Sequence, residues 1–352
     1  MVPGLHLLRE LAARKGRLEH LLWLTSGRPI EQLVLAELAD VIEPGRWQCI
    51  DLGLEAPGGG APSIRRKLSR AMPSALRVWR VLRAERCDVL LGLGGWICAP
   101  ALVGAKLAGV PSALLEINAQ AGSVTRSFGS AANKVLHAWP RTMPARSSPR
   151  HVLCGAPVGP RFAPPGEGEQ KTARRDFGFE PARPLLLVLG GSQGAAPLNR
   201  FIDEHAQALI EAGWSILHQT GPGKLGRGAG PRWVCKEYLQ DMPRALRAAS
   251  LVLCRAGGSS LAEIAAVRVP AWAVPYPQAK DRHQDWNAKA LGPGVRVIPQ
   301  EDLGPGVAQD LIDALGPDGL AKLDQQALAL GQVSPSGAAL RIWQELEGLA
   351  QR

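Results

Sequence analysis

Residues 249–281 read ASLVLCRAGGSSLAEIAAVRVPAWAVPYPQAKD, and their order of elements occurs once before in the chain. Residues 87–122, CDVLLGLGGWICAPALVGAKLAGVPSALLEINAQAG, run through the same series. Each has an apolar strand, a glycine loop, a helix, Val-Pro, a second apolar strand and a loop. A buried strand, a helix and another buried strand make the pattern of a parallel sheet covered by helices. Two such units of nearly equal length predict an α/β protein with two Rossmann-like domains facing each other across a cleft. In open sheets of this kind ligands gather beyond the carboxyl ends of the strands. That rule points to the loops near 92–98, 116–122, 190–195, 255–263 and 277–287.

At 352 residues the chain is long for one core. The stretch GAPVGPRFAPPGEGEQ, residues 155–170, can continue neither a helix nor a central strand and marks the junction. One domain is expected over 1–160, a second over 161–335, and a terminal helix over 336–352 packing back on the first. The chain opens MVPGLHLLRELAARKG, an amphipathic helix with Leu5, Leu7, Leu8 and Leu11 on one side. The six cysteines include no C-x-x-C pair, so buried reduced thiols of a cytosolic protein are expected rather than a zinc or disulfide framework. The first apolar stretch is charged by Arg9, and no secretory signal is expected. Residues 89–115 approach the length of a membrane span, but their glycines, two prolines and Lys106 fit a buried strand, loop and helix.

Of the net charge of +10, residues 1–160 carry +9, from 20 Lys and Arg against 11 Asp and Glu. Much of it lies in SIRRKLSRAMPSALRVWRVLRAER, residues 63–86. Ile64, Leu68, Met72, Leu76, Trp79 and Leu82 fall on one helical stripe, with Arg65, Arg66, Arg70, Arg77 and Arg80 mostly off it. The stripe either docks on a sheet or rests on anionic lipid, and Pro73 is placed to break the helix. The basic residues are not interleaved with aromatics, so nucleic acid is not an expected partner.

Three loops hold chemistry. In LLLVLGGSQGA, residues 185–195, Gly190, Gly191, Ser192, Gln193 and Gly194 lie between a strand and a helix, where a phosphate can approach the helix amino end. A tight turn without ligand fits equally. No Lys-Ser/Thr follows, which excludes a Walker loop, and the G-x-G-x-x-G fingerprint is absent. In LCRAGGSSLAEIAA, residues 253–266, Ser259 and Ser260 offer hydroxyls and N–H groups, and Arg255 is either a phosphate partner or a rim charge. Glu263 is placed to accept two hydrogen bonds from a ribose diol, or is an ordinary acid favoured by the helix dipole. In PYPQAKDRHQDWNA, residues 275–288, Gln278, Lys280, Asp281, His283, Gln284 and Asn287 crowd one loop and helix start, as in a sugar pocket or a solvated loop. His283 has no Cys or His at ligand spacing and no Asp-x-Asp occurs, so no metal and no cofactor are expected.

LLVLGGSQGA, HQTG, YLQDMPRAL, LVLCRAGGSSLAEIAA and PYPQAKDRHQDWNA, with GLGGWICAP and EIN before them, resemble the MurG family in order along the chain. That family transfers N-acetylglucosamine from UDP to lipid-linked muramyl-pentapeptide in peptidoglycan synthesis. The resemblance implies a GT-B fold with parallel sheets, a metal-independent inverting reaction, and lipid I converted to lipid II at the cytoplasmic face of the cell membrane. It implies as partners UDP-GlcNAc, an undecaprenyl-linked muramyl-pentapeptide acceptor and an anionic membrane surface. By motif position Tyr238 and Leu239 flank the uracil, Gly258, Ser259 and Ser260 serve the diphosphate, and Glu263 holds the ribose. Ser192 and Gln193 serve phosphate with Arg255, while His283 and Gln284 hold sugar hydroxyls, with Asn287 in the same segment. Asn118 contacts the acetamido sugar, and Gly92, Gly94 and Gly95 face the acceptor diphosphate.

Departures from the family pattern are specific. H-E-Q-N reads Leu115, Glu116, Ile117 and Asn118, and G-N-P-V-R ends in Gly159, with Arg161 two residues on as the substitute phosphate ligand. The family's first strand and Gly-Gly-x-Gly-Gly-His loop belong before Met1, which leaves Glu116 as the remaining candidate base and predicts a first sheet without its central strand. Another GT-B lipid glycosyltransferase, a UDP-sugar epimerase and a non-catalytic UDP-sugar-binding subunit fit the same residues.

Overall fold

The computed structural model describes residues 1–16, 18–28, 31–54, 64–224, 230–333 and 337–351; side chains in the helix over 64–84 are described from residue 71, and that of residue 33 is not. The chain divides into two units, Met1–Pro160 with Gly337–Arg352, and Arg161–Ser336. The division falls inside the Pro/Gly-rich stretch.

The first unit runs α1 (Val2–Ala13), β1 (Leu21–Thr25), α2 (Glu31–Ala39), β2 (Trp47–Asp51), α3 (Ile64–Ala84), β3 (Leu90–Gly92), α4 (Cys98–Ala108), β4 (Ser112–Glu116), α5 (Ser123–Phe128), β5 (Lys134–His137) and β6 (His151–Leu153). Its parallel strands form two sheets, β1–β2 and β3–β4–β5–β6. Helix α1 bridges them. Leu5 and Leu8 pack with Trp23, Leu35 and Leu38, whereas Leu7 packs with Leu115 and Leu136. Each of these buried leucines contributes about 1.5–3 kcal/mol of apolar burial.

One expectation for α3 is corrected, and its apolar stripe is divided between core and surface. The helix continues through Pro73, although a proline inside a helix costs about 3 kcal/mol. Packing against α4 offsets that cost: Ala75, Val78 and Leu82 are buried, and a Cβ on Gly104 would lie 2.7 Å from the Ala75 carbonyl. Of the expected stripe, Leu82 is buried and Trp79 half-buried, while Met72 and Leu76 point outward at 61% and 40% exposure. Ile64, Arg65, Arg66, Leu68 and Arg70 lie outside the described side chains.

The second unit runs α6 (Glu169–Asp176), β7 (Leu185–Leu189), α7 (Ala196–Ala212), β8 (Ser215–Gln219), β9 (Trp233–Lys236), α8 (Met242–Ala248), β10 (Leu251–Cys254), α9 (Gly258–Val267), β11 (Ala271–Ala273), α10 (His283–Ala290), β12 (Val295–Val297), α11 (Pro305–Asp313) and α12 (Pro317–Val333). Six parallel strands make one sheet, ordered β12–β11–β10–β7–β8–β9. Strands β7, β8 and β10 are buried throughout, so their apolar runs face helices on both sides. Trp214 is fully buried and its indole N–H donates to the Leu311 carbonyl at 2.8 Å. Arg174, also buried, is satisfied by the Ala248 and Pro181 carbonyls and the Ser250 hydroxyl, which ties α6 to the end of α8. The chain ends with α13 (Ala338–Ala350), back in the first unit. Its Trp343 indole donates to the Leu7 carbonyl, and Ile342 and Leu346 join the core of the four-stranded sheet.

Candidate active site

Beyond the carboxyl ends of β7 and β10, the second unit holds a cavity of about 480 Å³, within the usual range for small-molecule sites. Gly190, Gly191 and Gly194 form one wall, Arg255, Gly257 and Ser260 another, and Tyr276 and Gln284 a third. Ala195 and Ala196 at the start of α7 and Gly257 at the start of α9 also line it. Two helix amino ends therefore meet there, each with partial positive charge and uncommitted N–H groups. Arg255 is the one charged side chain on the wall among the described residues. This combination favours a bound anion.

Arg255 is held in place. Its Nη1 donates to the carbonyls of Val274 and Pro275 at 3.0 and 3.3 Å, its Nη2 donates to Gln300 Oε1 at 2.7 Å, and its guanidinium lies 5.5 Å from the Tyr276 ring centre. Burial pulls its pKa below the usual value, partly offset by Tyr276. Gln284 is oriented too, since its Oε1 accepts from the Tyr276 N–H at 2.9 Å, which leaves its amino group as a donor.

The glycine loop lies directly on the next strand's exit. Gly194 has φ +67°, and a Cβ there would fall 1.8 Å from the Thr220 carbonyl oxygen, so only glycine fits. Ser192 and Gln193 are exposed at the loop tip, and the Gln193 carbonyl accepts from Lys224 Nζ at 2.8 Å. Below them Gln219 is buried, its side chain bonded to Gly191 and to Leu239.

Other residues singled out in the sequence lie off the cavity wall. Glu263 is buried one turn into α9, beyond Gly258 and Ser259. Asn287 is buried and donates from Nδ2 to the Ala256 carbonyl, which supports the loop before α9. His283 Nδ1 lies 2.8 Å from the Lys280 carbonyl, so that nitrogen carries the proton. Tyr238 is half-buried and Leu239 buried. Arg161 does not join this group: its Nη2 meets both carboxylate oxygens of Asp241 at 2.9 and 2.8 Å. Asp241 also caps α8, so Arg161 pins that helix rather than extending to the glycine loops.

In the first unit, Gly94 and Gly95 turn with φ of +90° and +77° after β3, and Cys98 Sγ donates to the Gly94 carbonyl. A Cβ on Gly92 would press on Leu114 and Cys98. Glu116 ends β4 buried, and Asn118 donates to it from both backbone and side chain.

The Glycosyltransferase family 28 C-terminal domain matches residues 185–322, which contain every residue on the cavity wall. The chain is 34% identical over 296 residues to the UDP-N-acetylglucosamine--N-acetylmuramyl-(pentapeptide) pyrophosphoryl-undecaprenol N-acetylglucosamine transferase of Synechococcus sp. strain WH7803, covering 81% of each. It is 35% identical to the enzyme of that name from Pseudomonas aeruginosa strain LESB58, covering 78% of each. The chain belongs to the MurG family. The crystal structure of Acinetobacter baumannii MurG matches with a TM-score of 0.71 at 22% identity, over 99% of this chain and 95% of that one. The fold is thus GT-B, shared also with a putative UDP-N-acetylglucosamine 2-epimerase of Listeria monocytogenes at a TM-score of 0.65.

Tyr276 on the cavity wall, and Gln300 and Gln219 behind it, are residues that no sequence motif singles out. Gln219 stands inside HQTG, and Tyr276 lies three residues beyond the end of buried β11, so position alone is the available signal. Gln300 comes from a turn 45 residues after Arg255, and no local pattern points to it.

Proposed function

We propose that the chain transfers N-acetylglucosamine from UDP-N-acetylglucosamine to the 4-hydroxyl of undecaprenyl-linked N-acetylmuramyl-pentapeptide, with inversion at the anomeric carbon. Family membership supports the reaction. The observation that carries the donor half is the cavity where two helix amino ends and one anchored guanidinium converge. When the glycosidic bond to UDP breaks, negative charge develops on the diphosphate. Preorganised N–H groups and Arg255 stabilise that charge without reorganising at the moment of reaction. The Gln284 amino group donates to a sugar or phosphate oxygen, and Ser260 offers a hydroxyl beside it. Glu263 takes the ribose diol, Tyr238 and Leu239 the uracil, and Asn118 the acetamido sugar, as their motif positions imply. Gly92, Gly94 and Gly95 face the acceptor diphosphate.

Among the described residues no helix is long and apolar enough to cross a membrane. A lipid-linked acceptor then calls for a peripheral contact with the cytoplasmic membrane face. Exposed Met72 and Leu76 on α3, with Arg80 and Arg83 following at helical spacing, supply apolar side chains beside positive charge.

Radiolabelled UDP-N-acetylglucosamine incubated with the protein and a lipid-linked muramyl-pentapeptide tests the reading. Labelled disaccharide-lipid is expected. Tight UDP binding without any labelled product would replace transfer with a binding role.

A further inference from the structure

Glu116 is, with Glu263, one of two buried acids among the described residues, and its surroundings define a different role from proton transfer. It ends β4, between β3 and β5 in the four-stranded sheet, and is 4% exposed. Its Oε1 accepts from the Asn118 backbone N–H at 3.1 Å and from Asn118 Nδ2 at 3.2 Å. Its Oε2 accepts from the Gly122 N–H at 2.7 Å and from the Thr125 hydroxyl at 2.6 Å. A carboxylate offers about four lone-pair directions, and all four are occupied. All four partners act as donors, so the ionised form is the one this site is built for. A general base needs a lone pair aimed at the substrate proton, and here taking a proton would break one of these bonds.

We infer that Glu116 is a positioning residue that folds the 117–125 segment around its carboxylate and thereby fixes Asn118 for the donor sugar. The segment is held at a second point, where the Trp139 indole N–H donates to the Ile117 carbonyl at 3.0 Å. Ile117 and Asn118 are thus fixed from both sides of the chain, while Gly122 and Thr125 set the start of α5. Gly122 leaves just enough room, since a Cβ there would sit 3.4 Å from Glu116 Oε2. The inference rests on the proposed role of Asn118, and its test includes a readout independent of turnover.

Glu116→Gln keeps one acceptor oxygen for Asn118 but turns an NH2 toward the Gly122 N–H and the Thr125 hydroxyl. Thr125→Val removes one bond and leaves the carboxylate. Amide hydrogen exchange at Asn118 and Gly122 is expected to quicken at least tenfold in Glu116→Gln, with Gly122 also quickened in Thr125→Val. In the transfer assay, Glu116→Gln is expected to raise the KM for UDP-N-acetylglucosamine at least tenfold, with Thr125→Val in the same direction. Both should retain the acidic limb of the wild-type kcat profile. Unchanged exchange in both variants would overturn the inference. So would loss of that acidic limb in Glu116→Gln with Thr125→Val left at wild-type activity, because that pattern belongs to a base. Failure of the wild-type chain to turn over would instead count against the proposed function and leave the exchange result to decide Glu116.

Discussion

The Gln219 side chain joins the glycine loop to the strand exit beyond it: its Nε2 donates to the Gly191 carbonyl at 3.1 Å while its Oε1 accepts from the Leu239 N–H at 2.9 Å. Both loops are proposed to touch opposite ends of UDP, and one buried amide sets their spacing. Gln219→Leu removes the acceptor of the Leu239 N–H, whereas the Gly191 carbonyl still accepts from the Gly194 N–H at 3.0 Å. One buried unsatisfied group costs about 1–3 kcal/mol, so urea denaturation should show a loss of that size. A midpoint within experimental error of wild type would refute the bridge.

Arg255 reaches the cavity as a fork whose Nη atoms are fixed by Val274, Pro275 and Gln300. A lysine cannot satisfy those three acceptors and present a planar face to Tyr276. Arg255→Lys should therefore weaken UDP binding by about 1–2 kcal/mol, the scale of one charge-assisted hydrogen bond, and leave uridine binding unchanged. Calorimetry with both ligands checks this, and equal losses for the two would place Arg255 away from the diphosphate.

Glu263 predicts the opposite pattern. It is buried on α9 and assigned to the ribose, which UDP and uridine share. Glu263→Ala should weaken both ligands alike, by about 1–3 kcal/mol for a lost charged hydrogen bond. Weakening of UDP alone would reassign the residue.

Two strands of the second unit are legible in sequence because they are apolar runs that lead into glycine turns, and both signals are local. Leu185–Leu189 and Leu251–Cys254 announce themselves in this way. The stripe on helix α3 is split: Leu82 is buried beside Ser74, Ala75 and Val78, while Met72 and Leu76 are exposed. Close approach to Gly104 decided that, and it is a tertiary fact. The cavity wall is half legible: Gly190, Arg255 and Ser260 stand in motif loops and line it, whereas Arg161 bonds Asp241, 80 residues away, and Gln300 bonds Arg255. Partners so far apart in the chain leave no periodicity to read.

Burial lowers the pKa of two histidines, His137 and His218, to about 4. His218 is fully buried on β8, its Nε2 3.1 Å from Asn199 Oδ1 and its Nδ1 without a partner among the described residues, and desolvation lowers its pKa to about 4. His137 on β5 is also lowered to about 4, first by desolvation and then by His151, whose Nδ1 is 2.8 Å from its Nε2. In the unfolded chain both titrate near 6.5, so between about pH 6.5 and 4 the unfolded state binds more protons. Stability is therefore complete above that window and falls as pH drops through it, by about 2 kcal/mol per histidine at pH 5. Urea midpoints at pH 8 and pH 5 measure the slope, and His218→Gln should flatten it by about half. An unchanged slope in that variant would show that His218 is already protonated in the fold.

Met72 and Leu107 stand 61% and 54% exposed on the packed helices α3 and α4. Burying a side chain of this size in an apolar phase gains about 1.5–3 kcal/mol, and a basic residue near an anionic lipid surface adds about 1 kcal/mol. Arg80, Arg83 and Arg86 are all exposed on or just beyond α3. Binding to phosphatidylglycerol-containing vesicles should therefore exceed binding to pure phosphatidylcholine vesicles and weaken as salt rises. Met72→Asp with Leu107→Asp loses apolar contact and adds like charge to the lipid, so cosedimentation with anionic vesicles should fall more than tenfold. UDP affinity should stay the same, because the donor cavity belongs to the second unit. Vesicle binding that survives the double substitution would move the membrane contact away from these two helices.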